Sequence, residues 1–191
     1  MKLYHLNLWE DKVEKTKLVE GYIQIYTGSG KGKTTAAIGQ AVRAAGFGLK
    51  TYIVQFMKEF PYSEINSLKH LKECITIEQF GGDEFVYKKE PPGKIEMDKV
   101  QRGLAAAKAK MLSGKYDIII LDEVCVSIYF GLFSDEEILT FVKQKPENIE
   151  LILTGRYCPE KLLDKADLVT EMNEVKHYYQ DGVTSRKGIE S

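Results

Sequence analysis

The chain has 191 residues, with 27 Lys and Arg against 28 Asp and Glu, for a formal net charge of −1. With 43% hydrophobic and 29% charged residues it has the composition of a folded globular domain, which argues against disorder and against a strongly basic nucleic-acid binder. A chain this long buries about 70% of its unfolded surface, so it needs neither disulfides nor a structural metal to fold.

The cysteines Cys74, Cys125 and Cys158 are far apart and form no C-x-x-C pair, so they read as reduced. With His5, His70 and His177 they show no zinc-ligand spacing. No apolar run approaches the roughly 18 residues of a membrane span. The start, MKLYHLNLWEDKVEK, carries charges and lacks the apolar core of a signal peptide, so the expected location is the cytoplasm.

Residues 1–20 read as an N-terminal arm. Leu3, Leu6, Leu8, Trp9 and Val13 are apolar, but acids and lysines crowd among them, so the arm must pack on the domain or on a second subunit to bury anything. Residues 21–191 read as a single folded domain. Tyr22 to Tyr26 is a short strand rich in β-formers. It ends in Thr27-Gly-Ser-Gly30, and a helix follows from Lys33 to about Ala45, closed by Gly46.

Thr51 to Phe56 is a second strand, Ser63 to Lys72 a helix and Cys74 to Phe80 a third strand. Gly81 to Gly93, with paired glycines and Pro91-Pro92, is a loop. The long helix from about Lys94 to Leu112 presents Met97, Val100, Leu104, Ala107 and Met111 at helical spacing. Asp117 to Asp122 is the clearest buried strand, and Ser134-Asp-Glu-Glu137 is a capping box opening the next helix. A strand from Ile149 to Thr154, a short helix from Pro159 to Lys165 and a strand from Asp167 to Met172 complete the pattern. Such alternation predicts an α/β fold with a mostly parallel sheet and helices on both faces.

The strongest chemical signal is Thr27-Gly-Ser-Gly-Lys-Gly-Lys-Thr-Thr35, set between a strand and a helix. Gly32-Lys33-Thr34 matches the end of the G-x-x-x-x-G-K-[ST] phosphate loop. The opening glycine is replaced by Thr27, and glycines stand instead at 28 and 30. The physics is unchanged. Glycines let successive N–H groups turn inward as an anion nest, and the helix that follows aims its free N–H groups at the same point. Lys33 is expected to reach the terminal phosphates, Thr34 to ligate Mg²⁺, and Lys31 to add a second cation.

The other half of such a site is an acid at the end of a buried strand. Asp122 and Glu123 supply it at the carboxyl edge of the sheet, and either is a candidate Mg²⁺ ligand. The loop does not settle the reaction, because phosphoryl transfer, hydrolysis and other uses of ATP share this cradle.

With these residues in hand, the chain resembles the ATP:corrinoid adenosyltransferases of the cobalamin-biosynthetic, P-loop type. The resemblance rests on T-G-x-G-K-G-K-T-T-A-A (Thr27 to Ala37), V-Q-F-x-K (Val54 to Lys58), I-I-L-D-E (Ile119 to Glu123), L-T-G-R (Leu153 to Arg156), A-D-L-V-T-E-M (Ala166 to Met172) and G-V-T-S-R-K-G-I-E (Gly182 to Glu190). These occur in order from about Gly21 to Glu190.

The resemblance implies a RecA-like P-loop NTPase fold, a homodimer, Mg²⁺, and a reaction in which cob(I)alamin or a related corrinoid attacks the 5′ carbon of ATP and tripolyphosphate leaves. No Ser–His or Cys–His pair is needed, because the nucleophile is cobalt. The protein's task is then electrostatic stabilisation of the leaving triphosphate by loop amides, Lys31, Lys33 and Mg²⁺. Lys33 and Glu123 are the residues expected to carry the chemistry. Residues 28–35 (Gly28, Ser29, Gly30, Lys31, Gly32, Lys33, Thr34 and Thr35) and Arg156 are expected to hold ATP. Relatives often have Asn where Ser29 stands, and ATP lies reversed in their cradle.

An apolar loop in relatives, read as G-F-T-W, displaces the lower cobalt ligand. Here the stretch is Phe80-Gly-Gly-Asp-Glu-Phe-Val-Tyr87. Phe80, Phe85 and Tyr87 are the candidates to face the corrinoid, and Trp9 of the arm is a further one. A flavoprotein reductase is a conceivable electron donor; no nucleic acid or membrane partner is expected. Arg186 and Lys187 read as surface charges. The rival readings are a RecA-like ATPase, a nucleoside-kinase-like phosphotransferase, and a carrier that kept the cradle without the chemistry.

Overall fold

The computed structural model describes residues 17–59, 62–82, 84 and 90–191. The apolar arm positions Leu3, Leu6, Leu8, Trp9 and Val13, and the loop aromatics Phe85 and Tyr87, lie outside these residues.

Strands and helices alternate along the described chain. They are β1 (Ile23–Thr27), α1 (Lys33–Gly46), β2 (Thr51–Phe56), α2 (Ser63–Leu68), β3 (Ile75–Phe80), α3 (Lys94–Met111), β4 (Ile118–Asp122), α4 (Val124–Tyr129), α5 (Asp135–Lys143), β5 (Glu150–Thr154), α6 (Glu160–Leu163) and β6 (Leu168–Glu171). The six strands form one sheet in the order β3-β2-β4-β5-β1-β6, and every neighbouring pair is parallel. This is the doubly covered α/β architecture expected from the sequence.

The core is built by the two-residue period of the central strands. Ile119 and Leu121 of β4 point to one face, where they join Val100, Ala107 and Met111 of α3 and Ile138 and Phe141 of α5. Ile118 and Ile120 point to the other face, against Ala37, Ala41 and Ala44 of α1. All residues of β2 and β4 are buried, while those of the edge strand β6 are exposed. The alanine stripe brings α1 close to the sheet, and so brings its N-terminus to the carboxyl end of β1. On the opposite face, Gly103 of α3 permits a similar approach. A Cβ there would stand 2.8 Å from the Phe80 ring and 2.9 Å from the Phe56 ring.

The capping box expected at Ser134 is present. The Glu137 backbone N–H donates to Ser134 Oγ, and the Ser134 backbone N–H donates to the Glu137 carboxylate. Three differences from the sequence reading stand out. The helix expected to run to Lys72 tightens into a 3₁₀ turn at Lys69–Leu71, a common way for a helix to end. Met97, placed on the apolar face of α3, is 41% exposed, so the buried stripe starts only at Val100. The helix α4 was not anticipated. Its residues, VCVSIY, continue the apolar, β-branched run of β4, and the change of conformation falls at Glu123, whose backbone is left-handed.

Candidate nucleotide site

Several strands of the sheet end at one edge in unusual backbone. Among the described residues, the non-glycine positions with left-handed φ are Met57 (54°), Glu123 (63°) and Tyr157 (58°). They follow β2, β4 and β5, at the carboxyl edge where open parallel sheets bind ligands. Each such conformation costs on the order of 1–3 kcal/mol and persists where surrounding structure over-determines it, which is typical of functional edges.

The loop between β1 and α1 crosses this edge. Gly28 has φ 94°, and a Cβ there would lie 2.4 Å from the Met172 carbonyl oxygen, just past β6. The Gly30 N–H donates to that same carbonyl at 2.6 Å. These contacts explain why glycines stand at 28 and 30: the loop is pinned backbone to backbone against the end of β6. Gly32 precedes α1 with φ 120°, and no side chain caps the helix. The first-turn N–H groups of α1 therefore face the site without a side-chain acceptor, the arrangement that favours an anion.

Lys33 is buried and folds back over the loop, donating to the carbonyls of Gly28 (2.8 Å) and Gly30 (2.7 Å). Burial pulls its pKa below the ordinary lysine value; Glu123 opposes that shift and Arg156 adds to it.

Asp122 is the hub of the site. Its Oδ1 accepts from Thr34 Oγ1 (2.9 Å) and Thr154 Oγ1 (2.6 Å). Its Oδ2 accepts from Gln55 Nε2 (3.0 Å) and Lys58 Nζ (2.6 Å). Burial works against the Asp122 charge, but the charge and hydrogen bond of Lys58, with the two threonine hydroxyls, hold its pKa below the usual carboxylate value.

Glu123 differs. Among the described residues no side-chain donor is bonded to its carboxylate, although it lines the cavity. Burial, and then the neighbouring Asp122, push its pKa up, against Lys58, Lys33 and Arg156. The two acids thus differ in surroundings: the Asp122 carboxylate accepts from four internal donors, whereas the Glu123 carboxylate lines the cavity among the charges of Lys58, Lys33 and Arg156. The Thr34 hydroxyl and the Glu123 carboxylate are hard oxygen donors. Together with phosphate oxygens and water they would suit Mg²⁺, which is typically held by one or two carboxylates plus substrate phosphates.

Two adjoining cavities flank the loop. One of about 510 Å³ is lined by Thr34, Thr35, Lys58, Tyr62, Glu123 and Glu190, among others. The other, about 270 Å³, is lined by Lys31, Lys33, Glu123, Arg156 and His177, among others. Ser29 and Arg156 also face a third cavity, of about 390 Å³, on the far side of the loop. The expected loop residues, Arg156, Asp122 and Glu123 are therefore brought together. Phe80, at the end of β3, is half-buried and packs against the core beside Gly103.

Sequence reasoning missed four contributors. Gln55 and Lys58 extend from the end of β2, and Thr154 ends β5. The V-Q-F-x-K run carried the signal, a glutamine and a lysine in a strand otherwise apolar. The fourth is the segment 177–191, which folds back over the loop. Glu190 pairs with Lys31 at 3.0 Å, with Arg186 at 3.1 Å and with the Tyr178 hydroxyl, while Ser63 Oγ donates to the Ser191 carbonyl at 2.9 Å. Arg186, read as a surface charge, is half-exposed but organises this segment.

Residues 19–191 match the sequence profile of the ATP:corrinoid adenosyltransferase family BtuR/CobO/CobP. The chain belongs to this family. It is 32% identical over 180 residues to the corrinoid adenosyltransferase CobA of Salmonella typhimurium, covering 94% of this chain and 90% of that protein. The corrinoid adenosyltransferase of Escherichia coli K12 matches to the same extent. An uncharacterized protein of Nostoc, all2391, is 33% identical over 176 residues, covering 85% of this chain. This chain spans 46% of that longer relative. Membership fits the geometry: these adenosyltransferases are P-loop proteins, and the chain presents a phosphate loop on an all-parallel α/β sheet. No described helix is long and apolar enough to cross a membrane.

Proposed function

We propose that the chain transfers the 5′-deoxyadenosyl group of ATP to the cobalt of cob(I)alamin or a related reduced corrinoid, and releases tripolyphosphate. Cobalt(I) supplies both electrons of the new cobalt–carbon bond and becomes formally cobalt(III). The C5′–O bond breaks, and its electron pair leaves on the tripolyphosphate. The reading rests on family membership together with one structural observation: a glycine loop pinned to Met172, with an uncapped helix start and the Lys33 ammonium converging on it.

In this reading residues 28–35 and Arg156 grip the polyphosphate, and Lys31 and Lys33 meet the charge that grows on the leaving group. Thr34 and Glu123 hold Mg²⁺, and Asp122 orients Thr34. Mg²⁺ supplies further charge neutralisation. Residues 21–191 are the adenosyltransferase domain and 1–20 an arm over the corrinoid. Phe80, Phe85 and Tyr87 are assigned to the corrinoid side. A homodimer, a cytoplasmic location and a flavoprotein reductase as electron donor belong to the same proposal.

The test is direct. Protein, Mg-ATP and chemically reduced cobalamin are mixed, and the light-sensitive cobalt–carbon bond is followed optically. Formation of that bond supports the reading; ATP consumption without it supports an ATPase or kinase instead.

A further inference from the structure

Lys58 was not among the expected site residues, yet with Lys33 it is one of the two buried lysines of the site. It is 9% exposed, follows the left-handed Met57 at the end of β2, and lines the 510 Å³ cavity. Its ammonium donates to Asp122 Oδ2 at 2.6 Å and to Thr34 Oγ1 at 3.1 Å, and lies 5.3 Å from the centre of the Tyr62 ring. Thr34 Oγ1 in turn donates to Asp122 Oδ1. The three groups therefore close a triangle of hydrogen bonds. A hydroxyl has one proton and two lone pairs. With its proton on Asp122 and one lone pair on Lys58, Thr34 keeps one lone pair for an incoming cation.

We propose that Lys58 is a positioning residue: it serves as the internal cation of the site, holding Asp122 and the Thr34 hydroxyl in a metal-ready arrangement before a metal–polyphosphate complex arrives. A buried carboxylate without a counter-ion is strongly disfavoured, so some positive charge must stand beside Asp122. Lys58 fills that need without any ligand. Free divalent metal then gains little without nucleotide, and the metal enters with its polyphosphate, whose charge compensates for the extra cation. The inference rests on the nucleotide-site reading above.

The test compares thermal unfolding of the nucleotide-free full chain with and without millimolar Mg²⁺. Lys58→Met leaves Asp122 unpaired, so it should lower the melting temperature in metal-free buffer. Mg²⁺ alone should recover about 3 °C or more of that loss, while moving the wild type and Lys58→Arg by under about 1 °C. A merely structural lysine predicts the same Mg²⁺ response in wild type and Lys58→Met, and that result overturns the proposal. If Lys58→Met does not fold, Lys58→Met with Asp122→Asn decides. With both charges gone it should fold near wild-type stability and ignore Mg²⁺; failure to fold, or a Mg²⁺ response, overturns the proposal. Calorimetry of the wild type with Mg²⁺ and inorganic tripolyphosphate separates the two readings. Absence of binding overturns the nucleotide site and Lys58's role with it. Binding together with equal Mg²⁺ responses overturns only the role of Lys58.

Discussion

Lys31 and Glu190, 159 positions apart in the chain, form an ion pair at 3.0 Å on the phosphate loop. A loop cation that the polyphosphate would use is thus engaged by a carboxylate of the chain itself. Glu190→Gln removes the competing charge and frees Lys31. Lys31 is 44% exposed, so screening limits the gain to roughly two- to fivefold tighter tripolyphosphate binding, fading at high salt. Calorimetry at two salt concentrations measures it. Weaker binding would mean that Glu190 arranges the site rather than competing for it.

The cluster around Glu190 also fixes a pH dependence. Arg186 first, then Tyr178 and Lys31, hold the Glu190 pKa far below the ordinary glutamate value. A carboxylate with a depressed folded pKa contributes its docking above the unfolded value and loses it as pH falls through the folded one. Amide signals of residues 186–191 should therefore stay constant from neutral pH through the ordinary carboxylate range and shift only in stronger acid. A transition near the usual glutamate value would contradict the ion-pair cluster.

Lys33→Ala removes the cation that bridges the Gly28 and Gly30 carbonyls. Loss of a charge aimed at the leaving group should lower turnover on the order of 10²-fold. Unchanged turnover in a steady-state assay would contradict its assigned role.

Glu123→Gln should separate stability from binding. Burial and Asp122 raise the Glu123 pKa. The folded chain therefore favours the protonated acid, and the stability this gives at low pH is lost as pH rises through the folded pKa. Glutamine cannot ionise, so at neutral pH the metal-free variant should melt no lower than wild type. Its Mg²⁺-dependent binding of tripolyphosphate should weaken at least about tenfold. A variant that melts lower and binds normally would overturn the distinction between Glu123 and Asp122.

Gly28→Ala should cost stability. Its Cβ would meet the Met172 carbonyl at 2.4 Å from a backbone already at φ 94°, where alanine is strained. A loss of about 1–3 kcal/mol is expected, measured by urea unfolding. A neutral result would mean that the loop moves away from β6 without penalty.

The sequence made the sheet legible because its central strands are long apolar runs bounded by turns, and because the capping box at Ser134 signals a helix start chemically. The phosphate loop was legible for a similar reason: glycines, lysines and threonines at fixed spacing have few other uses between a strand and a helix. What stayed hidden depends on long-range contacts. Helix α4 stayed unassigned because its residues continue an apolar, β-branched run and local composition cannot register the left-handed turn at Glu123. Lys58 and Thr154 become site residues only once β2, β4 and β5 lie side by side. Glu190 joins the loop through a fold-back of 159 residues that no local pattern encodes.

The central claim is that carbon, not phosphorus, is the centre attacked, and the phosphorus product reports this directly. Wild-type protein is incubated with Mg-ATP and chemically reduced cobalamin, and the products are read by ³¹P NMR. Intact tripolyphosphate, formed in equal amount to adenosylated corrinoid, is the predicted result; ADP and orthophosphate in its place would contradict the account.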